Sequence, residues 1–426
     1  MKKRRGGRRE EPSGKGLLAV LCVVLVLALG TLAYMILRDT GREEPADTQA
    51  SEEDSQAGSE QETQEEEKEE PSPEELLAQK VQETLDGMTL EQKVNQLFMI
   101  TPEQLTGVET AVQAGDATRS AYEAHPVGGL IYFAKNLQNP DQTRQMLSNT
   151  SQYARQISGL PVFLSVDEEG GQVSRIASNS AFQVPVFEYM NQVGQRGDIQ
   201  EAHDIGSQIG AYLKDLGFNM DAAPDTDVLT NPANEVVKYR SFGSDPQLVA
   251  SMAQAELQGL NEQGIIGLYK HFPGHGGTTA DSHEGYVYVE ENLDQLKSGA
   301  LVPFQSGIDN GIRVIMVSHI ACPNVTGDNT PATLSQMLIT DVLREQMGFD
   351  GMVITDALNM GAITEQYSSG DAAVKALQAG VDMLLMPEDF GSAYQGVIDA
   401  VNAGTLTEER INESVSRILK IKLEME

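Results

Sequence analysis

Eight short apolar runs recur between residues 96 and 386, and a more polar stretch separates each run from the next. The runs span 96–100, 127–133, 161–166, 218–223, 265–269, 314–318, 351–355 and 381–386. Intervening stretches such as 198–216 and 246–263 have the apolar spacing of amphipathic helices. This alternation predicts a parallel sheet, and eight repeats predict an α/β fold of the (β/α)8 TIM-barrel type. A doubly wound open sheet is the alternative, although no dinucleotide-binding fingerprint follows the first run.

The first 75 residues differ in composition from the rest and divide into three segments. Residues 1–16 are basic, residues 17–37 carry no charge, and residues 38–75 are rich in Glu, Gln, Ser and Asp. The uncharged segment has the length of a bilayer core, which predicts a transmembrane helix. A cleaved signal peptide is the alternative, but its apolar region would usually be shorter. The third segment has too few apolar residues to form a core, so we predict a disordered acidic linker.

These segments set the expected location of the remaining chain. Because the positive flank precedes the apolar segment, the N-terminus should stay in the cytoplasm. Residues 76–426 should then form an extracellular catalytic domain on a single-pass membrane protein. The formal net charge of −33 argues against nucleic acid as a partner. Cys322 is the single cysteine outside the apolar segment, which excludes an internal disulfide and a cysteine-based zinc site. The sequence does not indicate an oligomeric state.

The densest group of reactive side chains follows the fifth apolar run. Residues 270–283 read KHFPGHGGTTADSH and contain three of the six histidines, one lysine and one aspartate. A polar, glycine-rich loop at the carboxyl end of a buried strand is where an α/β barrel carries its chemistry. Histidine titrates near neutral pH, so this loop contains groups that can donate or accept a proton.

Polar side chains also occur at the ends of four other predicted strands. They are Asp167 and Glu169 after the third, Asp221, Asp225 and Asp227 at the fourth, His319 after the sixth and Asp356 after the seventh. Together with the loop above, they predict a polar pocket with acid/base capacity. Glycoside cleavage needs such a set, because one group protonates the leaving oxygen while a carboxylate stabilises or attacks the anomeric carbon. The sequence shows no serine nucleophile elbow and no phosphate-binding loop, which disfavours acyl and phosphoryl transfer.

At these residues the chain resembles the single-domain β-N-acetylhexosaminidases of glycoside hydrolase family 3. The matching motifs are Asp167 with Glu169-Gly170-Gly171, Ala223-Pro224 with Asp227, Arg240-Ser241-Phe242-Gly243, Lys270-His271-Phe272-Pro273-Gly274-His275-Gly276, Asp281-Ser282-His283, Ser318-His319 and Thr355-Asp356. They occur in family order and cover about residues 85–420. The run that begins at Lys270, followed by Asp-Ser-His, is the most specific of them.

The resemblance implies a retaining, exo-acting hydrolase of terminal β-linked N-acetylglucosamine from cell-wall or chitin-like oligosaccharides. It implies a covalent intermediate on Asp356 and an unusual general acid/base, His283, oriented by Asp281. The residues that it implies as sugar-binding are Asp167, Arg240, Lys270 and His271. No cofactor and no metal ion are expected.

Three other interpretations stay open. The histidines of the 270–283 loop could bind a metal ion, although their spacing matches no standard zinc signature. The chain could be a β-glucosidase or a phosphorylase of the same family, although β-glucosidases generally carry a second domain that is not seen here. It could also be a sugar-binding surface protein without catalysis, which would tolerate loss of Asp356 or His283. Gly277 and Tyr286-Val287 depart from the family pattern and leave loop closure and the leaving-group subsite open.

Overall fold

A computed structural model describes residues 71–278 and 287–426 of the chain. These residues belong to one structural unit, Glu70–Glu426. The predicted basic tail and membrane span, and almost all of the predicted linker, lie outside the described residues. Within the described ranges, no helix has both the length and the apolar character needed to cross a bilayer. The fold class that included a transmembrane helix is therefore not supported, and the extracellular location stays a prediction.

Each of the eight predicted apolar runs contains a strand. The strands of the described residues are β1 (Phe98–Ile100), β2 (Gly129–Tyr132), β3 (Phe163–Val166), β4 (Glu168–Gly170), β5 (Val173–Ser174), β6 (Met220–Asp221), β7 (Ile266–Gly267), β8 (Tyr269–Phe272), β9 (Val287–Tyr288), β10 (Val314–Val317), β11 (Ile320–Ala321), β12 (Met352–Thr355) and β13 (Leu384–Leu385). The fifth run is divided at Leu268 into β7, which pairs with β6, and β8, which pairs with β10.

The prediction of one closed eight-stranded barrel is wrong. Six strands form a parallel sheet in the order β13, β1, β2, β3, β6, β7, which is a half-barrel. Three further strands form a second parallel sheet in the order β12, β10, β8. Isolated bridges join the residues beside each seam, namely Asp225 with Lys270 and Ile354 with Met383. Regular strand pairing therefore stops where a closed barrel would need it to continue.

The hydrogen bonding at the two seams departs from that of a regular ladder. Between β12 and β13, Asp382 Oδ2 accepts the Val353 N–H at 2.9 Å. Thr355 Oγ1 accepts the Leu385 N–H at 2.9 Å. These side-chain bonds stand beside backbone bonds across the same seam, such as that from the Thr355 N–H to Met383 O at 3.0 Å. At the other seam, the strand β6 ends three residues before Pro224, which has no N–H to donate to a neighbouring strand.

Helices connect the strands, as the sequence predicts. The helices of the described residues are α1 (Pro73–Asp86), α2 (Leu90–Gln96), α3 (Pro102–Thr106), α4 (Asp116–Ala124), α5 (Pro140–Ser158), α6 (Met190–Arg196), α7 (Ile199–Leu216), α8 (Pro246–Glu262), α9 (Leu293–Ser298), α10 (Val302–Asp309), α11 (Pro323–Thr326), α12 (Gly361–Thr364), α13 (Ser369–Ala379), α14 (Phe390–Asn402) and α15 (Glu408–Glu424), with a π-helix at Met337–Gln346. Gly217 and Gly380 end α7 and α13 with φ of 100° and 113°, a conformation that side chains with a Cβ rarely adopt. These turns lead the chain directly back into the next strand.

The core lies between the strands and the helices that cover them. All residues of β1, β2, β3, β10 and β12 are buried. Strands that are buried on both faces read as continuous apolar runs, which is why the sequence revealed them. The last helix, α15, buries Ile411, Val415 and Ile418 completely. It therefore packs onto the core.

Candidate active site

The loops at the carboxyl ends of β3, β6, β8 and β12 bring most of the predicted site residues together. Asp167 follows β3, and Lys270 and His271 lie within β8. Arg240 comes from the long loop between β6 and α8. Asp356 directly follows β12. Parallel strands present their carboxyl ends at one edge of a sheet, so residues that are more than 100 positions apart along the chain can meet there.

A cluster of two cations and two carboxylates forms the floor of the site. Lys270 Nζ lies 2.6 Å from Glu169 Oε1 and 3.0 Å from Asp167 Oδ1. Arg240 holds Glu169 with two hydrogen bonds, of 2.8 Å from Nε and 2.7 Å from Nη2. The side chains of Lys270 and Glu169 are 3% and 2% exposed, whereas Asp167 keeps 19% of its side chain accessible. Glu169 therefore holds both Lys270 and Arg240 in place. Asp167 is partly accessible and can also contact a ligand.

These ion pairs keep their members charged. Burial alone would raise the pKa of Glu169, but Arg240 and Lys270 outweigh it and hold that pKa well below the usual range of a glutamate. Burial would lower the pKa of Lys270, but Glu169 and Asp167 outweigh it and raise that pKa. The floor of the site therefore presents fixed charges over the whole physiological pH range.

A second group of buried side chains orients the two histidines. Asp227 Oδ2 lies 2.7 Å from His271 Nδ1, and Asp227 Oδ1 accepts the backbone N–H of His275. Asp227 is in turn held by its own N–H, which donates to Asp225 Oδ1 at 2.9 Å. Arg240 Nη2 lies 3.3 Å from His271 Nε2. Because Arg240 can only donate, Nε2 must accept and Nδ1 must carry the proton that is shared with Asp227.

His271 is neutral in this setting. Burial, with the positive charge of Arg240 as the next contribution, lowers the pKa of His271 to about 4. Asp225 and Asp356 act in the opposite direction and raise this pKa, but burial outweighs them. His271 is therefore suited to hydrogen bonding rather than to proton transfer at neutral pH.

Asp356 lies beside this network and is partly exposed. Its backbone N–H donates to Val317 O at 2.8 Å, and its Oδ1 accepts the Ala357 N–H at 2.8 Å. The next helix, α12, begins five residues later, so Asp356 is not the N-cap of that helix. This hydrogen bond holds Oδ1 of the carboxylate against its own backbone turn.

Two predicted site residues, Asp281 and His283, lie outside the described residues. The neighbouring His275 is buried, and Thr278 Oγ1 lies 2.9 Å from its Nδ1. Its Nε2 is buried and has no hydrogen-bond partner within residues 71–278 and 287–426. His319 is also buried, with Thr333 Oγ1 2.7 Å from Nδ1 and Ala357 O 2.9 Å from Nε2. These partners describe a core histidine whose ring supports the segment after Asp356.

Asp225, Asp227 and His271 each place one potential ligand atom within 4.8 Å of the others. Asp227 Oδ2 and His271 Nδ1 are engaged with each other. Asp225 Oδ2 has no hydrogen-bond partner among the described residues, but it lies 3.3 Å from Arg240 Nε. The fixed positive charge of a guanidinium at this distance opposes a bound cation. The trio is better explained as a hydrogen-bond network that orients His271 than as a metal centre.

Comparison with known proteins assigns the family. A model of the glycosyl hydrolase family 3 N-terminal domain matches residues 89–421 of the chain. The chain belongs to glycosyl hydrolase family 3. The family 3 β-N-acetylglucosaminidase from Paenibacillus sp. str. FPU-7 is similar in structure, with a TM-score of 0.75 and 36% identity over 80% of this chain and 63% of that one.

Two curated relatives of this family 3 chain carry the name β-hexosaminidase. β-Hexosaminidase A of Pseudoalteromonas piscicida is 34% identical over 326 residues, which make up 71% of this chain and 54% of that protein. β-Hexosaminidase LpqI of Mycobacterium tuberculosis is 35% identical over 271 residues, which make up 62% of this chain and 68% of that protein. The chain therefore spans about half the length of the first relative and about two thirds of the second.

Glu169, Asp225 and Asp227 were predicted at the strand ends that form the polar pocket, but none of them was among the residues assigned to catalysis or to sugar binding. Glu169 contacts both cations of the floor, and Asp225 completes the support of Asp227. A signal for Glu169 was present, because residues two apart on an extended segment share a face and Glu169 lies two residues after Asp167. Asp225 had the same relation to Asp227, but nothing local distinguishes such a pair from an ordinary turn.

Proposed function

We propose that the protein is a retaining, exo-acting β-N-acetylhexosaminidase that releases terminal β-linked N-acetylglucosamine from cell-wall or chitin-like oligosaccharides. The observation that carries the proposal is the convergence of Asp167, Arg240 and Lys270 with Asp356 at one edge of the sheets. The names of the relatives, β-hexosaminidase and β-N-acetylglucosaminidase, support the same activity. Membrane attachment is not part of this proposal.

The charged floor suits recognition of a neutral sugar. Asp167 is partly exposed and accepts hydrogen bonds, whereas Lys270 and Arg240 donate them. Hydrogen bonds that involve an ionised partner are stronger than neutral ones, so hydroxyl groups of the sugar would be held in a fixed orientation. Because Glu169 already holds both cations, binding requires little rearrangement of the side chains.

In the proposed first step, Asp356 attacks the anomeric carbon and forms an ester with it, while the bond to the leaving oxygen breaks. His283 gives its proton to that oxygen, with Asp281 orienting the imidazole. In the second step, neutral His283 takes a proton from water, which attacks the anomeric carbon and releases Asp356 as a carboxylate. His271 has too low a pKa for this exchange at neutral pH, so its proposed part is to hold the sugar.

A panel of aryl glycosides tests the activity, with each substrate assayed in the presence and absence of inorganic phosphate. We expect turnover of the aryl N-acetyl-β-glucosaminide without phosphate and loss of this turnover in Asp356→Ala. Preference for the aryl β-glucoside, or a requirement for phosphate, would instead support the β-glucosidase or the phosphorylase. Binding of N-acetylglucosamine without turnover of any substrate would indicate a non-catalytic sugar-binding protein.

A further inference from the structure

A buried asparagine, Asn234, joins two segments of the candidate site. It lies in the loop between β6 and α8, and its side chain is enclosed by protein. Its Oδ1 accepts the N–H groups of Val236 at 2.8 Å and Val237 at 3.0 Å. Its Nδ2 donates to His275 O at 2.9 Å and to Thr278 Oγ1 at 3.2 Å. An amide side chain can donate two hydrogen bonds and accept two, so these four bonds use its full capacity.

The Oδ1 side of Asn234 supports the segment that carries Arg240. Val237 is held by Asn234 Oδ1, and its carbonyl accepts the N–H groups of Arg240 at 3.1 Å and Ser241 at 2.9 Å. Ser241 Oγ in turn donates to Asp227 O at 2.6 Å. Asn234 therefore belongs to the turn that sets the backbone position of Arg240.

The Nδ2 side of Asn234 holds the turn between His275 and Thr278. The Thr278 N–H donates to His275 O at 3.1 Å, which closes this turn. The His275 N–H donates to Asp227 Oδ1, and Asn231 Nδ2 donates to Thr278 O at 2.9 Å. Asp227, Asn231 and Asn234 all belong to the loop between β6 and α8. This loop therefore fixes the turn at both of its ends.

The same turn precedes the predicted acid/base residues in the sequence. Asp281 and His283 follow Thr278 by three and five residues. Five residues span at most about 18 Å, so the position of Thr278 limits the region that His283 can reach. A general acid must come within hydrogen-bonding distance of the oxygen that it protonates. A shift of the turn would therefore change the position of His283 relative to a sugar bound at Arg240.

We propose that Asn234 is a positioning residue, which holds the segment leading to His283 in a fixed position relative to Arg240. Its two side-chain atoms divide this task, because Oδ1 supports the Arg240 segment and Nδ2 holds the turn. Arg240 also makes two hydrogen bonds to Glu169, which do not depend on Asn234. Loss of Asn234 should therefore impair proton transfer more than sugar binding. The inference rests on the proposed function, which assigns the acid/base role to His283.

Two substrates separate proton transfer from the other contributions. A nitrophenolate leaves with little help from an acid, whereas the leaving sugar of the β-1,4-linked disaccharide of N-acetylglucosamine must be protonated. General acid catalysis contributes about 10²–10⁴-fold, so a misplaced acid should cost a substantial part of that factor. For Asn234→Ala we expect kcat/KM to fall about ten- to hundredfold on the disaccharide, but less than about threefold on nitrophenyl N-acetyl-β-glucosaminide.

Three further variants complete the experiment. Asn234→Asp keeps an acceptor for the two N–H groups but removes both donors, so it should show the same selective loss even if Asn234→Ala does not fold. His283→Ala is the reference and should show a larger loss of the same kind. Asn219→Ala is the matched control, since it removes side-chain bonds to Leu164 N–H and Val162 O at the amino end of β3. It should leave the ratio of the two kcat/KM values unchanged.

Equal losses on both substrates in the Asn234 variants would overturn the inference, because Asn234 would then support the site only as a whole. An undiminished rate on the disaccharide would overturn it as well. If the unmodified protein cleaves neither substrate, or if His283→Ala lacks the selective loss, the proposed function fails and the inference falls with it. The two failures are distinguishable, because the second is seen in proteins that retain Asn234.

Discussion

Replacing Glu169 with glutamine tests how much the Glu169 carboxylate contributes to the stability of the folded protein. The change keeps the size of the side chain but removes the charge that contacts Arg240 at 2.7 Å and Lys270 at 2.6 Å. With charge centres about 4 Å apart and an effective dielectric constant of about 20, each attraction is roughly 4 kcal/mol before desolvation is subtracted. Breaking a buried pair by removing one partner typically costs about 3–5 kcal/mol. We therefore expect Glu169→Gln to lower the free energy of unfolding by about 3–5 kcal/mol.

Urea unfolding of Glu169→Gln, Lys270→Met and the double variant measures this coupling. Glu169→Gln alone leaves the buried Lys270 ammonium without this carboxylate. In the double variant an apolar side chain replaces Lys270, so part of the cost of burying an unpaired charge is avoided. The two losses should thus combine to less than their sum by about 1 kcal/mol or more. Arg196→Met is the matched control, since it breaks ion pairs to Glu188 and Glu201 at the surface and should cost at most about 1 kcal/mol. A Glu169→Gln variant as stable as the control, or strictly additive losses, would refute the reasoning.

Two further predictions concern buried groups outside the site. Lys422 is fully buried beside Gln96, and burial lowers the pKa of Lys422 to about 7. Lys422→Met should therefore be more stable than the unmodified protein at pH 7, by a margin that shrinks as pH rises towards 10.5 in urea titrations. Glu256 is fully buried, and its Oε1 has no hydrogen-bond partner in the part of the chain that the structure describes. Burial, with Asp221 next, raises the pKa of Glu256. Glu256→Gln should gain stability relative to the unmodified protein as pH rises above about 4.5. For either residue, a difference in stability that does not change with pH would contradict the shifted pKa.

The elements of the fold could be predicted from the sequence, but the closure of the sheet could not. Buried parallel strands are continuous apolar runs, and glycines such as Gly217 end the preceding helices, so both are visible locally. At the seam between β12 and β13, the side chains of Asp382 and Thr355 accept backbone N–H groups, beside the backbone bonds that also cross the seam. Whether a side-chain oxygen or a backbone carbonyl accepts a given N–H depends on the tertiary structure, and the sequence pattern does not show it.

The candidate site could likewise be predicted only in part from the sequence. Asp167, Lys270, His271 and Asp356 were predicted because each follows or ends an apolar run and matches a family motif. The pairing of Glu169 with Arg240 joins residues 71 positions apart, so it could not be read from spacing. The roles of Asp356, Asp281 and His283 in the reaction stay predictions.

Mass spectrometry of a trapped intermediate tests the central claim most directly. The enzyme is mixed with an activated N-acetyl-β-glucosaminide that carries a fluorine on the sugar ring, which slows the second step, and is then quenched with acid and digested. The account predicts one sugar adduct on the peptide that contains Asp356, and none on that peptide in Asp356→Ala. An adduct on a different carboxylate, or turnover with inversion at the anomeric carbon, would contradict it.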